Sequence, residues 1–365
     1  MTLPIKDDNL FLHLLTSKLE RFFVTANEIK KIRDFLTPGS KVVLVSHANP
    51  DGDAIGSVLA LYGVFKKKNV NVQALLPDIV PAFYNWLKDS DEIILAEEDL
   101  AKSEALINDA DIIFCLDFNA FKRVGDIEQP LRNASSIKVL VDHHPEPESG
   151  FDFVMSDTSV SSTSELIYHL IDQIEGDQII DKPIADAIYT GIMTDTGSFN
   201  FSSAHPGMYD ILKKLVEKGV NPAVVHQKVY DTFTESRTRL IGHSLLNKMI
   251  VLPEYQTAYI ALSQKDLQDF NYEKGDTEGL VNYPLAIKDV VFAAFFTEKD
   301  DMVKISFRSK GSFPANQFAE KYFRGGGHLN AAGGKSYKSL KKTIENFESI
   351  IKKDFNPKLI SSNDS

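Results

Sequence analysis

Cysteine is almost absent: Cys115 is the only one in 365 residues. The chain therefore has no intramolecular disulfide framework, and a reducing compartment is the expected setting. Cys115 lies within the apolar stretch 112–116, where a buried, inert thiol is expected. Long hydrophobic runs are missing too. The longest, residues 290–296, is far too short to span a bilayer, and the amino terminus shows no basic region followed by an apolar core and a small-residue cleavage site. A cytoplasmic protein with no membrane partner is expected. Positive charge is in deficit, with 40 Lys and Arg against 51 Asp and Glu for a formal net charge of -11. Such a chain carries no global positive field of the kind that tracks long nucleic acids, so any nucleic-acid substrate should be short or held locally. Low-complexity tracts and internal repeats are absent as well.

What is present is ordinary globular composition, 43% hydrophobic and 25% charged, enough for a sizeable core in roughly two domains. Apolar residues recur at helical spacing over residues 9–36, and Pro38 and Gly39 end that segment. A valine-rich strand at 41–45, a polar turn and a helix at 54–65 follow. Short apolar runs at 70–75, 92–96, 112–116 and 137–141 read as further strands. Strands alternating with helices in this way predict a mainly parallel sheet covered on both faces. From 163 to about 230 the pattern is almost wholly helical, with Ser161, Ser162 and Thr163 as caps and Pro183, Pro206 and Pro222 near helix starts. Beyond Pro253 the texture becomes strand-like at 256–262, 286–297 and 302–308, with helical patterns at 315–322 and 340–353. The expected architecture is α/β: a first domain over 1–234 with a helical extension, a helical connector at 235–250, a smaller α/β domain over 251–355 and a polar tail at 356–365. A cleft is expected between the two lobes.

Titratable residues gather where the strands of the first domain end. Asp142, His143 and His144 directly follow the strand at 137–141, and open α/β sheets place their sites at such carboxyl edges. The turn after the first strand reads Ser46-His47-Ala48-Asn49-Pro50-Asp51-Gly52-Asp53, in which Pro50 and Gly52 fix a tight loop around His47, Asp51 and Asp53. Asp53 also stands where an N-cap would be for a helix starting at Ala54. Asp117 ends the strand at 112–116, and Asp195 falls where a helix begun near Ile184 stops. Carboxylates and imidazoles concentrated in one place cannot all ionise without cations. A donor set of oxygen and imidazole nitrogen, with no thiolate, fits Mn²⁺ or Mg²⁺ better than a closed structural zinc site, and the histidine share favours Mn²⁺.

A second feature is Arg324-Gly325-Gly326-Gly327-His328, followed by Leu329-Asn330-Ala331-Ala332-Gly333-Gly334. It matches neither a P-loop nor a dinucleotide fingerprint. Consecutive glycines let a backbone approach a ligand, and the small residues after them are expected to begin a helix whose amino end favours negative charge. Arg308 and Ser309, at the end of the strand at 302–308, add a fork donor suited to phosphate.

In their order along the chain, His47 to Ser57, Asp117, Asp142-His143-His144, Thr194-Asp195-Thr196-Gly197 and Gly325-Gly326-Gly327-His328 with Ala331-Ala332-Gly333 resemble the signatures of the DHH phosphoesterase superfamily. The resemblance is to the branch that joins a DHH domain to a DHH-associated domain with a GGGH motif, and it covers almost the whole chain. Length and layout are most similar to the nanoRNase and pAp phosphatase group, also known as exopolyphosphatase-related proteins. The resemblance implies one Mn²⁺ held by His47, Asp51 and Asp117 and a second held by Asp53, Asp117, His143 and Asp195, with Asp117 bridging. It places Asp142 and His144 around those ligands or facing the substrate, as catalytic partners of Asp117. It assigns Arg308, Ser309 and the segment Gly325, Gly326, Gly327, His328 to the substrate's terminal phosphate or base. The stretch 145–148, acidic and proline-rich, matches no catalytic element.

The activity so implied is manganese-dependent hydrolysis of short oligoribonucleotides and of 3′-phosphoadenosine 5′-phosphate by two-metal hydroxide attack, with Mg²⁺ as the alternative ion. A cyclic- or linear-dinucleotide phosphodiesterase is the alternative within the same chemistry; an exopolyphosphatase or a noncatalytic nucleotide sensor ranks below it. The acidic charge argues against a processive exonuclease on long nucleic acid. A homodimer rests on the resemblance alone.

Overall fold

The computed structural model describes residues 25–200 and 204–353. Most of the helical pattern expected over 9–36 and the tail at 356–365 lie outside these residues. The described chain divides into two compact units between Thr232 and Phe233.

In the first unit, α1 (Ala26–Phe35) starts at a capping box of Thr25 with Glu28. The chain then runs β1 (Lys41–Val45), α2 (Gly52–Lys67), β2 (Asn71–Leu76), β3 (Ile94–Leu95), α3 (Leu100–Asp109), β4 (Ile112–Leu116), α4 (Glu128–Asn133), β5 (Ile137–Asp142) and β6 (Phe153–Ser156). The strands pair in the order β3-β2-β1-β4-β5-β6, every pair parallel. Alternate residues of one strand feed two cores, since Val42 and Leu44 pack on one face of the sheet and Val43 and Val45 on the other. This is why β1 and β4 read as unbroken apolar runs. The chain leaves β1 toward β2 on one side, and β4 lies on the other. That reversal of direction opens a crevice at the carboxyl ends of β1 and β4, where sheets of this kind bind ligands.

Helices α5 (Thr163–Glu175), α6 (Lys182–Asp195), α7 (Pro206–Glu217) and α8 (Pro222–Tyr230) form the helical extension. Ser162 caps α5, and proline occupies the first turn of each of the other three. Two strands depart from the sequence pattern. β6 lacks a long apolar run because it is an edge strand, and the run at 92–96 shrinks to two strand residues because Ser90–Glu92 forms a short 3-10 turn.

The second unit begins with α9 (Glu235–His243). The segment read as a helical connector, 235–250, leaves the helix at His243, winds through residues 244–248 and enters β7 (Met249–Leu252). Next come β8 (Thr257–Leu262), α10 (Gln264–Asp269), α11 (Asn282–Leu285), β9 (Phe292–Glu298), β10 (Val303–Ser309), α12 (Ala315–Phe323), β11 (Gly326–His328), β12 (Ala331–Ser336) and α13 (Leu340–Lys353). The strand order is β11-β12-β10-β9-β8-β7, antiparallel except for the parallel pair β8 and β9. One face packs Phe292, Phe296, Ile305 and Phe307 against Phe318, Phe323 and Phe347 of α12 and α13. The opposite face of β8 and β9 packs Ile260, Leu262, Ala293 and Phe295 against Leu240 of α9 and Leu267 of α10.

The glycine segment differs from expectation. Residues after His328 do not begin a helix: 326–328 and 331–336 form the β11–β12 hairpin. A Cβ on Gly325 would overlap the Gly333 carbonyl oxygen, and one on Gly327, whose φ is +142°, would stand 2.5 Å from the Ala331 carbonyl oxygen. Gly325 and Gly327 are thus required by close backbone packing against β12, whereas a Cβ on Gly326 would meet nothing within 4 Å.

Candidate metal centre

The site residues of the first unit are set by strand ends and by two helix starts. Beyond β1, the Ser46 hydroxyl donates to the Leu116 carbonyl (2.7 Å), tying the turn to β4. His47 has Nδ1 2.9 Å from the Ala48 carbonyl, a contact that keeps a proton on Nδ1 and leaves Nε2 as the nitrogen a metal ion would take. Asp51, not Asp53, is the N-cap of α2: its Oδ1 accepts from the Asp53 and Ala54 N–H groups at 3.0 and 3.1 Å. Its Oδ2 is thereby left toward His47 Nε2, 3.9 Å away. Asp53 sits one position inside the helix and is buried. Its two oxygens accept from the N–H groups of Thr163 (2.7 Å) and Ser164 (2.8 Å), the amino end of α5. A buried carboxylate suits that end of a helix because free N–H groups and the helix dipole meet it there.

Asp117 follows β4 with φ +62°, a left-handed conformation uncommon for a residue other than glycine. Its N–H donates to the Val141 carbonyl, and its Oδ1 accepts from the Thr163 hydroxyl at 2.8 Å. Asp117 Oδ2 lies 3.4 Å from His47 Nε2, and Oδ1 lies 3.7 Å from His143 Nε2. His143 Nε2 is also 3.6 Å from Asp195 Oδ2 and 3.9 Å from Asp53 Oδ2. Such spacings exceed a good hydrogen bond, and they suit pairs of donors arranged around an ion roughly 2.1 Å from each. Beside them, His144 Nδ1 lies 2.7 Å from Asp142 Oδ1.

Among the described residues of the first unit, three sets of donor atoms are therefore close enough to share an ion: His47, Asp51 and Asp117; Asp53, His143 and Asp195; and Asp117, Asp142 and His144. All eight residues named from the sequence around the first sheet converge. The residues present fit divalent cations on two further observations. His47 Nε2 and Asp142 Oδ2 are buried polar atoms with no hydrogen-bond partner, a costly condition unless a cation or its water meets them.

The electrostatics agree. Burial raises the Asp53 carboxyl well above its usual range, and the negative charges of Asp117 and Asp195 push it the same way. Burial acts on Asp117 in that direction too, but the His47 imidazole beside it and the charges of His144 and His143 outweigh it and hold Asp117 well below the ordinary carboxylate range. For His47, burial favours the neutral ring, yet the neighbouring carboxylates of Asp117 and Asp51 push its pKa up to about 9. Without a cation, protons must occupy positions that bound metal would otherwise neutralise.

Thr163, expected only as a cap, and Ser164, not expected at the site, hold Asp117 and Asp53. The signal was the unbroken Ser-Ser-Thr-Ser run at the start of α5. The acidic stretch 145–148 is a tether. The Pro145 carbonyl accepts from Asn119 Nδ2, Glu148 accepts from the Phe121 N–H and pairs with Arg132 at 2.7 Å, and the Arg132 guanidinium lies over the Phe121 ring.

The remaining predicted residues lie in the second unit. Arg308 is half-buried on β10, with Nη1 donating to the Phe307 carbonyl at 3.0 Å. Ser309, expected at the substrate, is buried; its hydroxyl donates to the Phe313 carbonyl (2.7 Å) and accepts from Asn330 Nδ2 (2.9 Å), so its hydrogen bonds hold the turn after β10. His328 is half-buried at the end of β11, beyond the exposed Gly326 and Gly327. Among the described residues, no helix is long and apolar enough to cross a membrane.

The chain matches the model of the DHH family, N-terminal domain, over residues 41–192 and that of the DHHA1 domain over residues 254–354. It is 28% identical over 300 residues to the bifunctional oligoribonuclease and PAP phosphatase NrnA of Bacillus subtilis, covering 81% of this chain and 89% of that protein. Against the protein of the same name from Thermus thermophilus the identity is 28% over 297 residues, covering 80% and 83%. The crystal structure of an exopolyphosphatase-related protein from Bacteroides fragilis superposes with a TM-score of 0.85 at 41% identity, over 89% of this chain and 95% of that one.

Proposed function

The chain belongs to the DHH/DHHA1 phosphoesterase superfamily, among its NrnA-like, exopolyphosphatase-related members, and is a metal-dependent phosphoesterase; on that premise we propose that it hydrolyses short oligoribonucleotides and 3′-phosphoadenosine 5′-phosphate with two Mn²⁺ ions. The observation that carries the reading is the position of Asp117, whose two oxygens face His47 on one side and His143 on the other. In this reading His47, Asp51 and Asp117 hold one ion, and Asp53, Asp117, His143 and Asp195 hold the other. Two such cations supply a nucleophile from water near neutral pH and neutralise charge on the phosphoryl oxygens during in-line displacement.

The protein's own groups do the rest. Thr163 and the amino end of α5 fix the carboxylates of Asp117 and Asp53, so that little reorganisation remains when substrate arrives. Asp142 orients His144, whose ring hydrogen-bonds a phosphoryl oxygen or carries a proton to the leaving oxygen. Arg308, His328 and the exposed backbone at Gly326 and Gly327 grip the substrate's terminal phosphate or base. Homodimeric assembly and a cytoplasmic setting belong to the same proposal, the setting supported by the lone buried Cys115.

The test is Mn²⁺ titration with phosphate-release and ladder assays on 3′-phosphoadenosine 5′-phosphate, pGpG, RNAs of two to five nucleotides and polyphosphate. RNA and the bisphosphate should be the preferred substrates, and Asp117→Ala should abolish their hydrolysis with the fold intact. Preference for pGpG alone, or substantial activity in Asp117→Ala, refutes the corresponding part.

A further inference from the structure

The second unit's sheet is covered unevenly. One face is sealed along its length by the phenylalanine core under α12 and α13. The other is covered at β8 and β9 by Leu240, Leu267 and Leu280, but the strip formed by β10 and β12 carries a different kind of residue. Along β10, Val303, Ile305 and Phe307 turn into the core, so Lys304, Ser306 and Arg308 line the opposite face. Their register partners on β12 are Lys335, Gly333 and Ala331 in turn. Lys304 and Lys335 are therefore cross-strand neighbours, both exposed, with only the small residues Ser306 and Gly333 between that pair and Arg308.

Past the end of β12 stands Tyr337, an aromatic ring 55% exposed. The Arg324 guanidinium lies 5.5 Å from its centroid and the Lys335 ammonium 6.0 Å from it. Arg324 ends α12 with a left-handed backbone (φ +48°). In a chain of net charge -11, Arg324 and Lys335 thus stand at a ring that is 55% exposed, with Lys304 paired across from Lys335. Cations beside an accessible aromatic ring are what proteins use to grip single-stranded nucleic acid by stacking bases and neutralising phosphates.

We propose that Tyr337, with Arg324, Lys335 and Lys304, forms a second nucleotide subsite that takes a base and phosphate of an oligoribonucleotide other than those gripped at Arg308. Arg308 and Lys304 are four residues apart on one strand, roughly 13 Å at about 3.3 Å per residue, too far for one phosphate to bridge. The subsite gives the enzyme a reason to prefer RNAs of several nucleotides over a dinucleotide. It rests on the proposal that oligoribonucleotides are substrates.

The experiment compares the full-length wild-type protein with Tyr337→Ala, Tyr337→Phe and the double variant Lys304→Gln with Lys335→Gln. Two readouts are taken: the ratio of kcat/KM on a five-nucleotide RNA to that on a two-nucleotide RNA with Mn²⁺, and the Kd of a fluorescein-labelled five-nucleotide RNA in EDTA, where no turnover occurs. Tyr337→Ala and the double variant should each lower the ratio and raise the Kd about tenfold, while Tyr337→Phe, which keeps the stacking face, should match wild type. The double variant should also show a shallower dependence of Kd on salt. Unchanged ratio and Kd in both Tyr337→Ala and the double variant overturns the subsite, as does a Tyr337→Phe loss equal to that of Tyr337→Ala. If the wild type cleaves no RNA but the Kd changes appear as described, the subsite stands and the oligoribonuclease reading falls.

Discussion

His144 Nδ1 and Asp142 Oδ1 lie 2.7 Å apart, and the other oxygen of the same carboxylate is buried without any hydrogen-bond partner. One oxygen of Asp142 therefore fixes the histidine ring, and the carboxylate as a whole belongs to the cluster that includes Asp117. In the proposed reaction the pair gives Asp142, buried too deep to meet substrate, a positioning role: a carboxylate behind an imidazole sets the ring's tautomer and orientation.

Asp142→Asn keeps the shape and removes the charge. It should lower kcat on bis(p-nitrophenyl) phosphate about 10- to 100-fold with little change in KM, since the histidine loses orientation and the substrate contacts remain. The circular dichroism spectrum should match wild type. A KM effect with kcat preserved would show that Asp142 serves binding instead.

Thr163 is the least obvious member of the site, because its hydroxyl donates to Asp117 Oδ1 while its N–H donates to Asp53 Oδ2. Thr163→Val deletes the first bond and keeps the second. Mn²⁺ affinity, read by calorimetry, should fall about tenfold, the usual scale for losing a partner that orients a ligand. Unaltered affinity would mean that Asp117 is held well enough by its own backbone.

Gly191, on α6, faces Asp53 across a gap too narrow for a side chain. A Cβ there would overlap Ser164 Oγ and stand 2.9 Å from Asp53 Oδ1. Gly191→Ala should cost about 1–3 kcal/mol of stability from overpacking and weaken Mn²⁺ binding at the same time. Thermal melts with and without Mn²⁺ check both parts. A melting temperature equal to wild type in both conditions would show that α5 and α6 separate freely.

The ligand-competent residues around the first sheet were legible because metal chemistry restricts residue type and because strand ends are marked by abrupt changes from apolar to polar, as at Val45 and Leu116. The supports were less so. Thr163 and Ser164 act largely through backbone N–H groups, which any sequence supplies, and their partner Asp53 is 110 residues away. The hairpin in place of the helix expected after His328 was not legible for a related reason. Small residues that can begin a helix can equally form a hairpin strand, and only the pairing of β11 with β12 tells the two apart. The short edge strand β6, which pairs only with β5 and exposes Val154, lacks the buried alternation that a pattern can register.

The titration of the cluster predicts how metal binding depends on pH. In the metal-free protein the His47 pKa is pushed up to about 9 and that of Asp53 is raised well above the ordinary carboxylate range by burial and by Asp117 and Asp195. A metal ion requires the unprotonated imidazole nitrogen and the carboxylate, so uptake near neutral pH must expel protons. Mn²⁺ titrations at pH 7 in buffers of different ionisation enthalpy should therefore report net proton release, diminishing as the pH is raised past 9, and apparent affinity should rise across that range. The stability of the metal-free protein follows with the opposite trend. His47 has a higher pKa folded than unfolded, where it is about 6.5, so its contribution is fully present below pH 6.5 and is lost as the pH rises through about 9. Asp53, also raised, binds its proton more tightly when folded, and its effect has the same sign: stability falls as that proton leaves. The melting temperature of chelator-treated protein should decline between pH 6.5 and 9, and saturating Mn²⁺ should flatten or reverse the decline. Mn²⁺ binding at pH 7 without proton release would show that His47 and Asp53 are already unprotonated in the metal-free state, and the electrostatic account of the cluster would have to be abandoned.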